Sequence, residues 1–303
     1  MAINYKDVIH PEDESALRQF ENTAGVKMLV EKFMSVGLER YLHNLCMSNC
    51  LKIGPHQMPE IYERLLSIVQ KFDIPEPELF LSMTPELDVC TLGDQKPFIV
   101  ITKNMLSTLP EEFDFFLARE CGHILCRHNL YLTVLSVLAR LMDGTAELIS
   151  ALPGMNVVKA TILPSAYYAA NYWQIRSQYS ADRIGAIYIE DENLVQKALL
   201  HHYLGAWGDN VNLEACIDQK KQIEEEHSNN SWDKILNRIL VSEQSFPFAT
   251  YRLEEIRKWV RSAQYRAVLD NLDKPACISP TCPNCKSDID ETWKFCRNCG
   301  TKL

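Results

Sequence analysis

Phe113-Asp114-Phe115-Phe116-Leu117-Ala118-Arg119-Glu120-Cys121-Gly122-His123-Ile124-Leu125-Cys126-Arg127-His128 reads as one helix. Thr108 and Glu111 form a capping box at its start, with Pro110 in the first turn. Phe113, Phe116, Leu117, Cys121, Ile124 and Leu125 recur at helical spacing, which predicts one face against a core. Set into that helix are Glu120 and His123, a Glu-x-x-His pair preceded by Arg119.

Around this stretch the chain is mainly helical. Upstream, Glu14–Phe20, Val26–Cys46 and Met58–Phe72 carry apolar residues at helical period. Ile74-Pro75-Glu76-Pro77 ends the last of these. Leu79–Met83 and Val89–Leu92 read as strands, and Pro97–Thr102 as the strongest strand in the chain. Downstream, 129–175 is helical with breaks at Asp143-Gly144 and Pro153-Gly154. Asn171–Ile189 is a helix, and others cover about 192–206, 211–227, 232–242 and 249–268. The fold class is mainly α with a small β-sheet, an α+β arrangement. The expected divisions are an N-terminal helical region at 1–72, a main domain at 73–270, a linker at 271–281 and a cysteine module at 282–303.

Composition narrows the function classes. The 303 residues carry a net charge of −9, which argues against nucleic acid as a partner. Residues 1–7 have no apolar run and do not read as a signal peptide. Tyr131–Met142 is short and contains Arg140, and 149–173 contains Pro153, Gly154, Lys159 and Pro164, so neither makes a convincing membrane span. Seven of the eleven cysteines are scattered, which suits a reducing, cytoplasmic compartment; membrane association is possible but not favoured.

The other four cysteines are Cys282-Pro-Asn-Cys285 and Cys296-Arg-Asn-Cys299, two Cys-x-x-Cys knuckles with ten residues between them. Four thiolates at this spacing predict a closed, structural zinc site of the zinc-ribbon kind. So short a segment has no core of its own, and metal binding on the order of 10–16 kcal/mol would supply much of its folding energy.

The helix asks for a different metal chemistry and lacks part of it. In His-Glu-x-x-His, two histidines four residues apart bind zinc on one helix face, and the glutamate is general base to the metal-bound water. Here a short strand precedes the helix, and Gln178-Tyr179-Ser180-Ala181-Asp182-Arg183 follows about 55 residues after His123. With these pieces, 75–200 resembles the zinc metallopeptidases that include the HtpX heat-shock protease and the CAAX prenyl proteases, whose signature is His-Glu-(Leu/Met)-Gly-His followed by Glu-x-x-Ala-Asp-Arg. The resemblance implies a zincin-like fold, with Glu120 at the general base, Gly122 at the glycine, His123 at the second zinc ligand and Asp182 at the supporting aspartate. It also implies that Pro97–Thr102 is the strand that binds substrate backbone.

Two of the three ligand positions depart from that signature. Arg119 stands at the first ligand and Gln178 at the third. Arginine has five donors and no acceptor, so it cannot bind a cation. Glutamine offers a neutral carbonyl oxygen, a poorer zinc ligand than a carboxylate. Because Arg119 lies four residues before His123, its guanidinium is expected in the vacated metal position, donating to Gln178 and pairing with Glu120 or Asp182. The expectation is a non-catalytic, pseudo-metallopeptidase module that binds a protein or peptide partner, with catalytic zinc doubtful and ribbon zinc structural. The alternative is an active zinc metalloendopeptidase with a re-drawn ligand set of His123 with Cys126 or His128, although His128 is expected to turn off the helix face. Cys46 and Cys50 are four apart and could touch, but read as small core residues, and His201-His202 as surface or core.

Overall fold

The computed structural model describes residues 3–83, 89–107, 110–151, 154–228, 249–272, 284–285, 295–296 and 298–302. Thr108 of the expected capping box, Pro153, the helix expected at 232–242, most of the 271–281 linker and Cys282 lie outside these residues.

The described secondary structure runs α1 (Tyr5–Val8), α2 (Pro11–Glu21), α3 (Val26–Ser35), α4 (Leu38–Asn49), β1 (Cys50–Ile53), α5 (Pro59–Phe72), β2 (Glu78–Ser82), β3 (Cys90–Leu92) and β4 (Phe98–Thr102). It continues with α6 (Pro110–Leu125), α7 (Asn129–Met142), α8 (Glu147–Ser150), α9 (Met155–Thr161), α10 (Leu163–Ile189), α11 (Glu192–Leu204) and α12 (Leu213–Ser228). Last come α13 (Ala249–Val260) and α14 (Ala263–Leu272). The expected helix Val26–Cys46 is two helices, because Gly37 takes φ 75° between them. Among the described residues no helix is long and apolar enough to cross a membrane.

The sheet has the order β1-β2-β4-β3. β1 pairs antiparallel with β2, β2 parallel with β4, and β3 antiparallel with β4. Strand alternation divides its side chains between two cores. Leu79, Leu81, Ile99 and Ile101 pack with α5, α6, α11 and α13, while Phe80, Phe98 and Val100 pack with the apolar residues of α2, α3, α4, α7 and the first half of α10. Both faces of the sheet are therefore covered, which is why Phe98–Thr102 reads as an unbroken apolar run and every residue of it is buried.

This placement corrects one expectation. β4 has β2 along its length on one side and β3 against Phe98–Val100 on the other, so it is an interior strand and not the edge strand a substrate backbone would need. Sequence shows a strand's composition but not its neighbours. The short strand β3 stands at the sheet edge beside α6 instead.

The two long helices α6 and α10 cross at very short range. A Cβ added to Gly122 would fall 2.8 Å from Ile184 Cβ, and one added to Gly185 would fall 2.6 Å from Phe115 and 2.9 Å from Arg119 Cγ. These two glycines remove the side chains that would otherwise hold the helices apart. The expected apolar face of α6 is buried or partly buried, but so are Phe115, Ala118, Arg119, Glu120, Gly122 and His123. α6 is a central helix enclosed on all sides, and its polar residues sit inside the protein.

Candidate functional site

Arg119, Glu120, His123, Gln178 and Asp182 are each no more than 4 % exposed. At that depth every charge needs a partner, since an uncompensated buried charge is strongly disfavoured. The α6–α10 crossing supplies them. Arg119 Nε donates to Asp182 Oδ1 at 2.6 Å, and Arg119 Nη2 donates to the Gln178 side-chain carbonyl. The guanidinium also lies 5.5 Å from the Phe116 ring and 6.0 Å from the Phe115 ring.

A second arginine, which the sequence reading did not single out, completes this knot. Arg252 on α13 donates to Asp182 from Nε at 2.7 Å and from Nη2 at 2.6 Å, and from Nη1 to the Tyr203 hydroxyl at 3.1 Å. Asp182 thus binds two guanidiniums. Burial opposes the charge on Arg252, but Asp182 and Tyr203 outweigh it and hold its pKa above the ordinary value. Arg119 is pulled below its ordinary value by burial and then by Arg252, against the pull of Asp182 and Glu120. Arg252 was missed because Thr-Tyr-Arg-Leu-Glu-Glu, at 250–255, reads as the polar part of an amphipathic helix.

Glu120 turns toward the sheet. The Thr91 hydroxyl on β3 lies 2.9 Å from Glu120 Oε2 and 3.1 Å from its backbone carbonyl oxygen. Consecutive residues of α6 therefore serve different partners: Arg119 reaches α10 and Glu120 reaches β3.

His123 and His128 form a third polar group. α6 ends at Leu125, and Arg127 takes φ 61°, so the chain reverses and His128 returns rather than turning off the face as expected. The two Nδ1 atoms are 3.0 Å apart. Burial, then the charges of His128, Arg119 and Arg252, push the His123 pKa well below its ordinary value, so its imidazole is neutral and one Nδ1 donates to the other. His128 Nε2 stands 3.0 Å from Asp13 Oδ2, within ion-pair distance. Asp13 on α2 also accepts from Trp173 Nε1 at 3.0 Å and from the Ser180 hydroxyl. Burial raises the Asp13 pKa, but His128 and these donors outweigh it and the net shift is downward. Cys126 is buried, and burial pushes its thiol above the ordinary value.

His201 and His202 are both placed against α6. His201 Nδ1 is 2.7 Å from Glu112 Oε1, and the His202 ring lies 5.0 Å from that of Phe116.

Among the described residues, only Cys285, Cys296 and Cys299 bring three possible ligand atoms within 4.8 Å of one another. Cys285 Sγ and Cys296 Sγ are 3.6 Å apart. The second knuckle is closed by Cys296 N–H donating to Thr301 O and Gly300 N–H donating to Cys296 O, each at 2.8 Å, with Gly300 at φ 74°. Such a turn suits a tetrahedral sulfur site.

Two families match parts of the chain. A zinc-ribbon domain family matches residues 281–303. The plastoglobule-localized metallopeptidase 48, chloroplastic, of Arabidopsis thaliana is 21 % identical over 278 residues, covering 90 % of this chain and 77 % of that protein. No solved structure matches. The family described as peptidase family M48 matches residues 55–260, a span holding the sheet from β2 onward, both α6 and α10, and Arg252. By that match the chain belongs to peptidase family M48.

Proposed function

We propose that this chain is a non-catalytic member of its family, a pseudo-metallopeptidase that acts as a peptide- or protein-binding or regulatory module and binds zinc in its ribbon alone. One observation carries the reading: the Arg119 guanidinium joins Gln178 to Asp182. A zinc ion does not fit there. The first ligand position holds a cation with donors only, the third holds a neutral amide oxygen already accepting from that cation, and His123 faces His128. Without the metal, Glu120 has no activated water to deprotonate. The ribbon differs, since its cysteines offer a soft donor set that suits zinc.

The alternative, an active endopeptidase with a re-drawn ligand set, rests on the approach of His128 to His123. Their Nδ1 atoms point at each other, which supports an imidazole–imidazole hydrogen bond over a shared ion. We place the protein in a reducing, cytoplasmic compartment on its scattered cysteines; the plastoglobule location belongs to the relative's own name.

Zinc stoichiometry tests the reading. One zinc per chain is expected, lost when Cys285 and Cys296 are changed to serine. Two tightly bound zinc ions, or chelator-sensitive cleavage of casein by the native chain, would overturn it. Arg119→His combined with Gln178→Glu is expected to bring a second zinc.

A further inference from the structure

The N-terminal stretch Tyr5–His10 is held against α10, α13 and α14 mainly through its backbone. Arg183 Nη1 donates to Val8 O at 3.2 Å and to Ile9 O at 3.0 Å. The His10 N–H donates to Ser180 Oγ at 2.9 Å, and Gln264 Nε2 donates to Asp7 O at 2.7 Å. The His10 imidazole accepts at Nδ1 from the Glu12 amide, so Nε2 carries the proton, 3.2 Å from Glu255 Oε2. Its ring lies 5.0 Å from that of Tyr179. Val8 is the one fully buried apolar side chain in Tyr5–His10. His10 packs, with no space for a water molecule between them, against walls that include Asp182, Arg183 and Arg252.

Side chains of two helices, α10 and α14, that grip the carbonyls and amide of a short segment, with α13 meeting its imidazole and one aliphatic anchor, form the kind of contact by which proteins hold peptide ligands. We infer that Tyr5–His10 is a self-ligand in a peptide groove formed by α10, α13 and α14, and that the same groove takes a peptide of matching chemistry in trans. That peptide presents two consecutive carbonyls to Arg183, a branched aliphatic side chain where Val8 sits, and a donor between Tyr179 and Glu255. The groove lies over the Arg119–Asp182–Arg252 knot, so its occupant and the state of the former metal position share Asp182 as a wall. The inference rests on the non-catalytic, peptide-binding reading and names the partner and regulation of that site.

The test uses full-length chains and a fluorescein-labelled peptide of residues 3–13. Val8→Ser is expected to release the segment, seen as faster hydrogen exchange at residues 3–10 with 110–125 and 163–189 still protected. The released chain is expected to bind the peptide at least tenfold more tightly than the native chain by anisotropy. Adding Arg183→Ala to Val8→Ser should reverse that gain, and a peptide with serine at the Val8 position should not bind. Equal binding by native and Val8→Ser chains overturns the inference, as does no binding once residues 3–10 are exposed. Loss of protection in α6 and α10 together with the segment also overturns it, since Tyr5–His10 would then be part of the core. Tyr5→Ala, which removes the ring 5.4 Å from Arg127, is the second releasing variant and is read by the same criteria. Zinc is counted on the same samples: a second zinc removes the non-catalytic reading while the peptide result stands as measured.

Discussion

Arg119 on α6 and Asp182 on α10 are joined at 2.6 Å with side chains only 4 % and 2 % exposed. A pair this deep is judged by what its removal leaves behind. Asp182→Asn would leave Arg119 and Arg252 facing a neutral amide, and breaking a buried pair from one side costs about 3–5 kcal/mol. The expected outcome in urea unfolding is a loss of that size. Arg119→Met is expected to be milder, because Asp182 keeps its two hydrogen bonds from Arg252. Equal losses would show that Arg252 does not support Asp182.

The glycine contacts predict an order of severity. Gly122→Ala places a methyl 2.8 Å from Ile184 Cβ, which is fixed to the α10 backbone, while Gly185→Ala meets the edge of the Phe115 ring. Overpacking of this kind costs about 1–3 kcal/mol. Gly122→Ala is expected at the upper end and Gly185→Ala below it, since a ring tilts more readily than a helix moves. Thermal unfolding of the two variants checks this, and the reverse order would contradict it.

Acid should weaken the fold through its buried histidines. Burial, then the charges of Arg252 and Arg119, push the His202 pKa down to about 3, and His123 also lies well below its ordinary value. In the unfolded chain both take a proton near pH 6.5. The unfolded state therefore binds more protons below that pH, and stability rises with pH through the window from about 3 to about 6.5. Each histidine contributes a slope of at most about 1.4 kcal/mol per pH unit. Urea midpoints measured at pH 7 and pH 5 should show the fall, and His202→Leu should reduce it. A midpoint that does not change between those pH values would mean that these imidazoles are solvated.

Chelation should act on the ribbon. Removing zinc is expected to raise hydrogen exchange at Cys296–Thr301, where the turn closes on the Cys296 amide and carbonyl, and to leave α6 and α10 protected. Unchanged exchange at the knuckle would mean that its turn holds without metal.

The sequence made α6, α10, the β2 and β4 runs and the ribbon legible, because each carries a local signal. Three features carried none. β1 has one buried residue, Ile53, among Cys50–Ile53, so its pairing with β2 has no apolar alternation to announce it. The parallel pairing of Glu78–Ser82 with Phe98–Thr102 joins segments about 20 residues apart, and it is this pairing that takes β4 off the sheet edge. The return of His128 depends on Arg127 in a left-handed conformation that glycine or asparagine usually announces, and arginine does not. Of the knot, Arg119, Gln178 and Asp182 were readable from motif spacing. Arg252 lies 70 residues beyond Asp182 on another helix, where only the unmet charge of Asp182 could have hinted at it.

The knot also bears on descent. Arg119 and Arg252 against Glu120 and Asp182 sum to zero formal charge with Gln178 neutral. A histidine at 119, a glutamate at 178 and Zn²⁺ would sum to zero as well, with the metal and Arg252 set against three carboxylates. Either substitution taken singly leaves one unbalanced charge in the interior, with or without the ion. Related chains are therefore expected to hold one pair or the other whole: histidine with glutamate, or arginine with glutamine. A chain caught between the two states would be the least stable of its relatives.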